Sequence, residues 1–380
     1  MERALFDDVH LAFQESIRGF LMREAVPKRE QWEQAGCVDR EFWRRAAAQG
    51  YVGFAAPEEY GGAGIRDFRF NAVVDEAVVH TGTVGDGFTM SNDIIAPYLI
   101  DVATPEQQER WLPGFTAGEI VGALAMSEPG AGSDLRSLAT TATWRGDHWV
   151  LNGSKTFVTN GIQADLVIVA ARLRGAAREG IGLFCVSSGL DGFVRGRKLK
   201  KIGRLAQDTA ELFFEDVAVG PDGVLGEPHA GLDIIKRNLP QERLSIAVTA
   251  VASAERGLRM TIDYVGSRRA FGGTIGSFQA TRFALAELWV AAAAAREYID
   301  RCIEAHRAAS LTAAEASAAK FLGTELEFRV LDRCVQLHGG YGYMEEYEIA
   351  RMWRDARVQR IYGGANEIML DTIGRSLGLS

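Results

Sequence analysis

At 380 residues, with 47% apolar and 24% charged side chains, the chain has ordinary globular composition and room for two or three domains sharing a large core. Its 42 basic against 50 acidic residues give a net charge of −8, which argues against nucleic acid as the main partner. No apolar run reaches the ~18–20 residues of a membrane span, and the acidic N-terminus MERALFDDVHLAFQES lacks a signal-peptide core, so no membrane span and a cytoplasmic location are expected.

In chain order, residues 1–120 read as an all-α domain. Val9, Phe13, Ile17 and Phe20 step along one helical face that stops before Pro27. In TPEQQERWLP, Thr104 caps a helix, Pro105 takes its first position and Glu106 follows in the first turn. Residues 121–235 change texture. HWVLNGSKTFVTN, ADLVIVAARL, GIGLFCVSS and AELFFEDVAVG are short β-branched and aromatic runs divided by Gly, Asp and Asn, the grammar of strands and turns in a small β domain of barrel or sandwich type.

Residues 236–380 return to long helices. Leu244, Val248, Val251, Leu258, Ile262 and Val265 form one stripe; Leu285, Trp289, Ala292, Ile299 and Ile303 form a second; Ala319, Leu322, Leu326 and Val330 form a third. Narrow stripes of this length pack as an antiparallel bundle, here a four-helix bundle, with the third helix ending at Gly339 and Gly340. The expected fold class is therefore α+β, ordered as helices, β domain, helical bundle. Cys37, Cys185, Cys302 and Cys334 lie far apart and the six histidines show no i, i+4 pairing, so neither a disulfide framework nor a metal site is expected. The fingerprints G-x-G-x-x-G, G-x-x-x-x-G-K-[ST] and G-x-S-x-G are absent.

Five stretches are more specific. AMSEPGAGSD (125–134), NGSKTFVTNG (152–161), SRRAFGGTIGSFQ (267–279), CVQLHGGYGY (334–343) and RDARVQRIYGGANEI (354–368) occur in this order. Together they resemble the signature of the acyl-CoA dehydrogenase family, flavoproteins that desaturate acyl-CoA thioesters at Cα–Cβ, over residues 100–370. The resemblance implies FAD held between the β domain and the bundle. It places Met126, Ser127 and Gly132 at the flavin edge, and Ser133 nearer the pantetheine phosphate. Thr159 falls near the reactive flavin nitrogen, and Phe157 forms an aromatic wall where many relatives carry Trp. Arg268, Phe271 and Gln279 fall at the FAD diphosphate. Gln336, Gly339 and Gly340 are the part supplied by a neighbouring subunit, which implies a homotetramer built as a dimer of dimers. Ala365 and Glu367 belong to the same FAD motif, and His338 reads as structural.

Desaturation next to a thioester needs a base for the Cα proton, a hydride acceptor (flavin N5) and hydrogen bonds to the carbonyl. Most relatives place the base directly after the Tyr of IYEG, where this chain has Gly363. A minority, the long-chain and isovaleryl-type members among them, carry Glu on the first bundle helix before an Arg, and NLPQERLSIA supplies Glu242 and Arg243. The resemblance thus implies Glu242 as base and the Gly363 N–H as donor to the carbonyl. Arg243 is expected at the CoA end, Gly364 close to the thioester, and an electron-transfer flavoprotein as acceptor. A proline and acids at a helix start also have a plain capping reading. Three alternatives share the fold: a carrier-protein-linked dehydrogenase, a flavin oxidase, and a non-catalytic binder of acyl-CoA or flavin. RGRKLKKIGR (195–204) reads as a solvated basic loop, with attraction for CoA or pantetheine phosphates as its alternative.

Overall fold

The computed structural model describes residues 3–83, 85, 87–176 and 178–379. The chain opens with α1 (Asp8–Glu24), α2 (Arg29–Ala35), α3 (Arg40–Ala48) and α4 (Phe68–Thr81), then a π-helical stretch, Thr89–Ile95, that runs into α5 (Ala96–Asp101) and α6 (Pro105–Thr116). The Asp7 carboxylate accepts from the amides of Val9 and His10 and so fixes the start of α1. Ile17 and Phe20 are buried with Phe13 packed beside them, as expected, but Val9 is exposed and His10 is buried in its place. His10 bonds Asp7 at 2.6 Å and packs its ring on Phe70 at 4.4 Å, contacts that no apolar periodicity reveals. Thr104 does cap α6, through a reciprocal box in which Gln107 bonds back to the Thr104 amide at 2.9 Å.

Seven strands follow: β1 (Gly122–Ala125), β2 (Thr141–Trp144), β3 (Trp149–Thr159), β4 (Leu166–Arg174), β5 (Ile181–Ser187), β6 (Phe193–Lys198) and β7 (Thr209–Val219). They form one sheet in the order β1-β4-β2-β3-β7-β6, with β5 antiparallel on the other edge of β4. The β3–β7 ladder slips between Lys155 and Val158, which leaves Thr156 and Phe157 outside the regular pairing. One sheet face closes on its own core around Leu151, Val167, Phe184 and Leu212; the other packs on α5, α6 and the start of the next helix.

That helix, α7 (Gly231–Ser267), is followed by a small hairpin, β8 (Arg269–Ala270) and β9 (Gly273–Thr274), and by α8 (Gln279–Arg307), α9 (Ala313–His338), α10 (Glu348–Ala356) and α11 (Asn366–Ser376). The boundary expected at 235/236 falls inside α7. Leu244, Val248, Val251, Leu258 and Val265 of α7 pack with Leu285, Ile299 and Ile303 of α8 and with Ala319, Leu326 and Val330 of α9 in one core. Ile262, Trp289 and Leu322, expected on the same stripes, are all exposed. α9 does end at Gly339, whose φ of +60° suits glycine. No described helix is long and apolar enough to cross a membrane.

Candidate active site

Glu242 lies about three turns inside α7, not at a helix start. Pro240 is an interior residue of the same helix, so neither capping nor the helix dipole accounts for the glutamate beside it. The carboxylate makes no hydrogen bond to another described side chain or amide. Burial pushes its pKa up to about 7, against the pull of Arg243 and Lys320. Burial also raises the Tyr98 hydroxyl, and the Glu242 charge adds to that rise.

Gly363 and Gly364 face this carboxylate across the bundle, in a turn with φ of +62° and +97°. A Cβ added to Gly363 would sit 2.4 Å from Ile246 Cδ1 and 3.5 Å from Glu242 Oε1. The glutamate of α7 therefore reaches the volume that a side chain at 363 would enter.

Two buried cations grip the turn. Arg243 donates from Nε to the Gly363 carbonyl at 3.4 Å and from Nη1 to Ser317 Oγ at 3.0 Å. Lys320 donates from Nζ to the Gly364 carbonyl at 3.0 Å and to Asn366 Oδ1 at 2.7 Å. Arg243 is expected at the CoA end; its guanidinium is buried and bonded to the turn and to α9. Burial pushes Lys320 down to about 8, with the Arg243 charge adding to the effect.

A second group of residues lies on the link between β1 and β3. Glu128 is buried against Lys155 at 2.7 Å, and Lys155 also donates to the Met126 carbonyl at 3.0 Å. Burial alone would raise the Glu128 carboxyl, but bonds from Lys155, Thr140 and the Ala139 amide hold it below its ordinary value. The Thr156 amide bonds the Ser127 carbonyl at 2.9 Å, so Met126 and Ser127 are fixed to the β3 irregularity from both sides. Lys155→Met is expected to lower the unfolding free energy by about 3–5 kcal/mol, because it strands a buried carboxylate. Chemical denaturation of the purified protein measures this, and an unchanged midpoint would show that the pair contributes little.

The open side of this link carries the features of a ligand face. A Cβ at Gly130 or Gly132 would meet nothing within 4 Å, so the protein's own packing does not require glycine there. Phe157 adopts φ of +58° and is 70% exposed, a conformation that costs a bulky residue about 1–3 kcal/mol. The irregular ladder holds the ring outward. Ser133 is exposed and Thr159 half-buried on the same link. A glycine cradle beside an out-turned aromatic fits the flavin that the motifs imply.

Arg268, Phe271 and Gln279 gather at the far end of α7, all exposed, with Phe271 at φ of +49°. The Arg268 guanidinium lies 5.5 Å over the Tyr341 ring, which brings it to the exposed end of α9 with Gln336, Gly339 and Gly340. Arg268 has no carboxylate partner among the described residues. From Glu242 to Arg268 the helix runs about 39 Å at ~1.5 Å per residue. Ala365 and the exposed Glu367 sit at the start of α11, directly after the di-glycine turn. His338 is buried, with Nδ1 bonded to the Cys334 carbonyl at 2.8 Å and its ring stacked on Tyr264 at 4.2 Å.

The residues that sequence reasoning missed are Ile246, Lys320, Gln359 and Glu327. Gln359 donates to both Glu327 oxygens at 2.8 and 2.9 Å and accepts from Thr249 at 3.1 Å, directly before the turn. Burial pushes Glu327 up to about 8. One signal was available: Lys320 and Glu327 occupy positions on the buried face of α9, among Ala316, Gly323 and Val330. In the basic segment 195–204, Arg195, Arg197, Lys198 and Lys200 are exposed, as a solvated segment implies, and some of the cations are also tied down. Arg195 bonds the Ala164 carbonyl at 2.6 Å, Lys198 bonds the Ala35 carbonyl at 2.5 Å, and Arg204 packs 5.4 Å over the Tyr362 ring.

Three family models match in chain order: acyl-CoA dehydrogenase N-terminal domain at residues 7–119, middle domain at 123–217 and C-terminal domain at 229–378. The chain is 46% identical over 378 residues to the long-chain specific mitochondrial acyl-CoA dehydrogenase of Rattus norvegicus, covering 99% of this chain and 88% of that one. It superposes on the crystal structure of an acyl-CoA dehydrogenase from Geobacillus kaustophilus with a TM-score of 0.96 at 43% identity, covering 99% and 100% of the two chains. An acyl-CoA dehydrogenase complexed with FAD from Bacillus anthracis matches with a TM-score of 0.90 at 30% identity, covering 98% of this chain and 67% of that one.

Proposed function

Because the chain belongs to the acyl-CoA dehydrogenase family, we propose that it desaturates an acyl-CoA at Cα–Cβ with Glu242 as the base. It is an FAD-dependent oxidoreductase, and bound FAD supplies the two-electron acceptor that takes the Cβ hydride. The observation that carries the base assignment is the reach of Glu242 Oε1 to the volume beside Gly363. Glu242 removes the Cα proton, and the electron pair moves toward the thioester carbonyl. The Gly363 amide donates to the oxygen on which charge develops, while Arg243 and Lys320 hold the turn that carries this amide. The product is the trans-2-enoyl thioester, and Glu242 then releases its proton to water.

Met126, Ser127, Gly132, Phe157 and Thr159 are assigned to the flavin ring, with Ala365 and Glu367 beside it, and Ser133 and Gly364 to the substrate. Arg268, Phe271, Gln279, Gln336, Gly339 and Gly340 are assigned to the diphosphate half of a flavin in a second copy. The ~39 Å between Glu242 and Arg268 supports that sharing, and so supports a dimer at least, within a dimer of dimers. An electron-transfer flavoprotein is the proposed acceptor. A long-chain acyl-CoA is the proposed substrate, on the strength of 46% identity to a long-chain specific relative. Arg195 and Lys198 bond backbone carbonyls and Arg197 pairs with Glu211, so little of the charge of 195–204 is left to support docking of an acyl carrier protein.

The test is an anaerobic titration of the flavin-loaded protein with acyl-CoAs of graded length, following flavin absorbance. Bleaching by long-chain thioesters is expected; bound flavin that no acyl-CoA reduces would overturn the reading.

The pH dependence has a definite sign. Burial raises the Glu242 pKa, so the reactive carboxylate forms only as pH rises through about 7. In the protein without substrate, kcat/KM is expected to climb to a plateau above that pH. The same rise has the opposite sign for stability. A carboxyl that prefers its proton in the fold contributes less as pH moves from the unfolded value up through the folded one. An acidic limb near the ordinary carboxylate pKa would count against Glu242.

A further inference from the structure

We propose that Lys320 is a positioning residue for the reaction, its buried ammonium fixing the 363–364 turn so that the turn's amide meets the thioester carbonyl. This rests on the reading of Glu242 and Gly363 given above. Lys320 is fully buried in the first third of α9, and its Nζ bonds the Gly364 carbonyl and Asn366 Oδ1. Asn366 is held in turn by Thr324 at 3.0 Å and Glu325 at 2.7 Å, and Glu325 pairs with Arg360 at 2.8 Å. The turn is thus anchored to α9 both before and after its two glycines. Glycines at φ of +62° and +97° have many other conformations open to them, and only such anchoring selects one.

Packing alone does not explain the residue. An unbranched apolar side chain would fill the same volume without the cost of burying an ammonium that contacts no carboxylate. The charge has a use at this place. Glu242 is faced by Arg243 and Lys320, with the Tyr98 and Tyr362 hydroxyls also nearby; Lys320 itself is faced by Arg243, Glu325, Glu367 and Arg360. Glu325 is paired with Arg360 and Glu367 is exposed, so the buried charges nearest Glu242 are the cations Arg243 and Lys320, on the side of the site where negative charge grows.

The test uses flavin-loaded wild type, Lys320→Met and Lys320→Gln, with two ligands that do not turn over. A long-chain enoyl-CoA keeps the carbonyl, and the matching S-alkyl-CoA thioether lacks it. Calorimetry is expected to show K320M binding the enoyl-CoA about tenfold more weakly and the thioether about as tightly as wild type. K320Q keeps a donor but loses the charge, and its acidic limb of kcat/KM is expected to move up by about half a pH unit. Equal losses for both ligands, or no loss and an unmoved limb, would reduce Lys320 to a packing residue. If K320M does not fold, the K320Q limb decides alone. Failure of wild type to bind either ligand would refute the site itself, which is a distinguishable result.

Discussion

Glu242→Gln is expected to keep the fold and the bound flavin while slowing flavin reduction by an acyl-CoA about 10²–10⁴-fold, the usual worth of a positioned proton acceptor. The amide matches the carboxylate in shape but cannot take the Cα proton. It also removes a desolvated charge, so the variant should be at least as stable as wild type near neutral pH. Stopped-flow absorbance under anaerobic conditions gives the rate, and thermal unfolding gives the control. Glu367, the carboxylate just after the di-glycine turn, is exposed at the start of α11, and Glu367→Gln should reduce its flavin at close to the wild-type rate. Near-normal reduction in Glu242→Gln would mean that the base lies elsewhere.

Local chemistry was legible in the sequence. Thr104 caps its helix and Gly339 ends another because a hydroxyl or a missing Cβ acts within a few residues. The site was legible only in part, and mainly through resemblance: a glycine at 363 drew attention to Glu242. Lys320 was not legible, because its partners Gly364 and Asn366 lie more than forty residues away and meet it only when α11 folds onto α9. Pro240 misled for a related reason. Proline favours a helix start, but here the packing of α7 against α9 and α4 carries the helix through it. Trp289 and Ile262 sit on regular stripes yet face outward; an apolar stripe fixes a period but not the width of the face that one chain can cover.

Gly363→Ala puts the closest approach in the site to the test. Alanine in the left-handed region costs about 1–2 kcal/mol. The new methyl would also press on Ile246 Cδ1 at 2.4 Å, and overpacking of that kind costs about 1–3 kcal/mol more. Relief by movement of the turn would shift the Gly363 amide and crowd Glu242 Oε1, 3.5 Å from the added atom. A displacement near 1 Å is worth about 10²-fold in rate. Gly363→Ala should therefore lose both stability and activity, and adding Ile246→Ala should return part of the activity by opening the volume into which the methyl points. The share due to backbone conformation should remain, so the double variant stays below wild type. A Gly363→Ala enzyme as stable and as fast as wild type would show that the turn does not need its glycine. In that case Glu242 and the residue at 363 would not be competing for one volume.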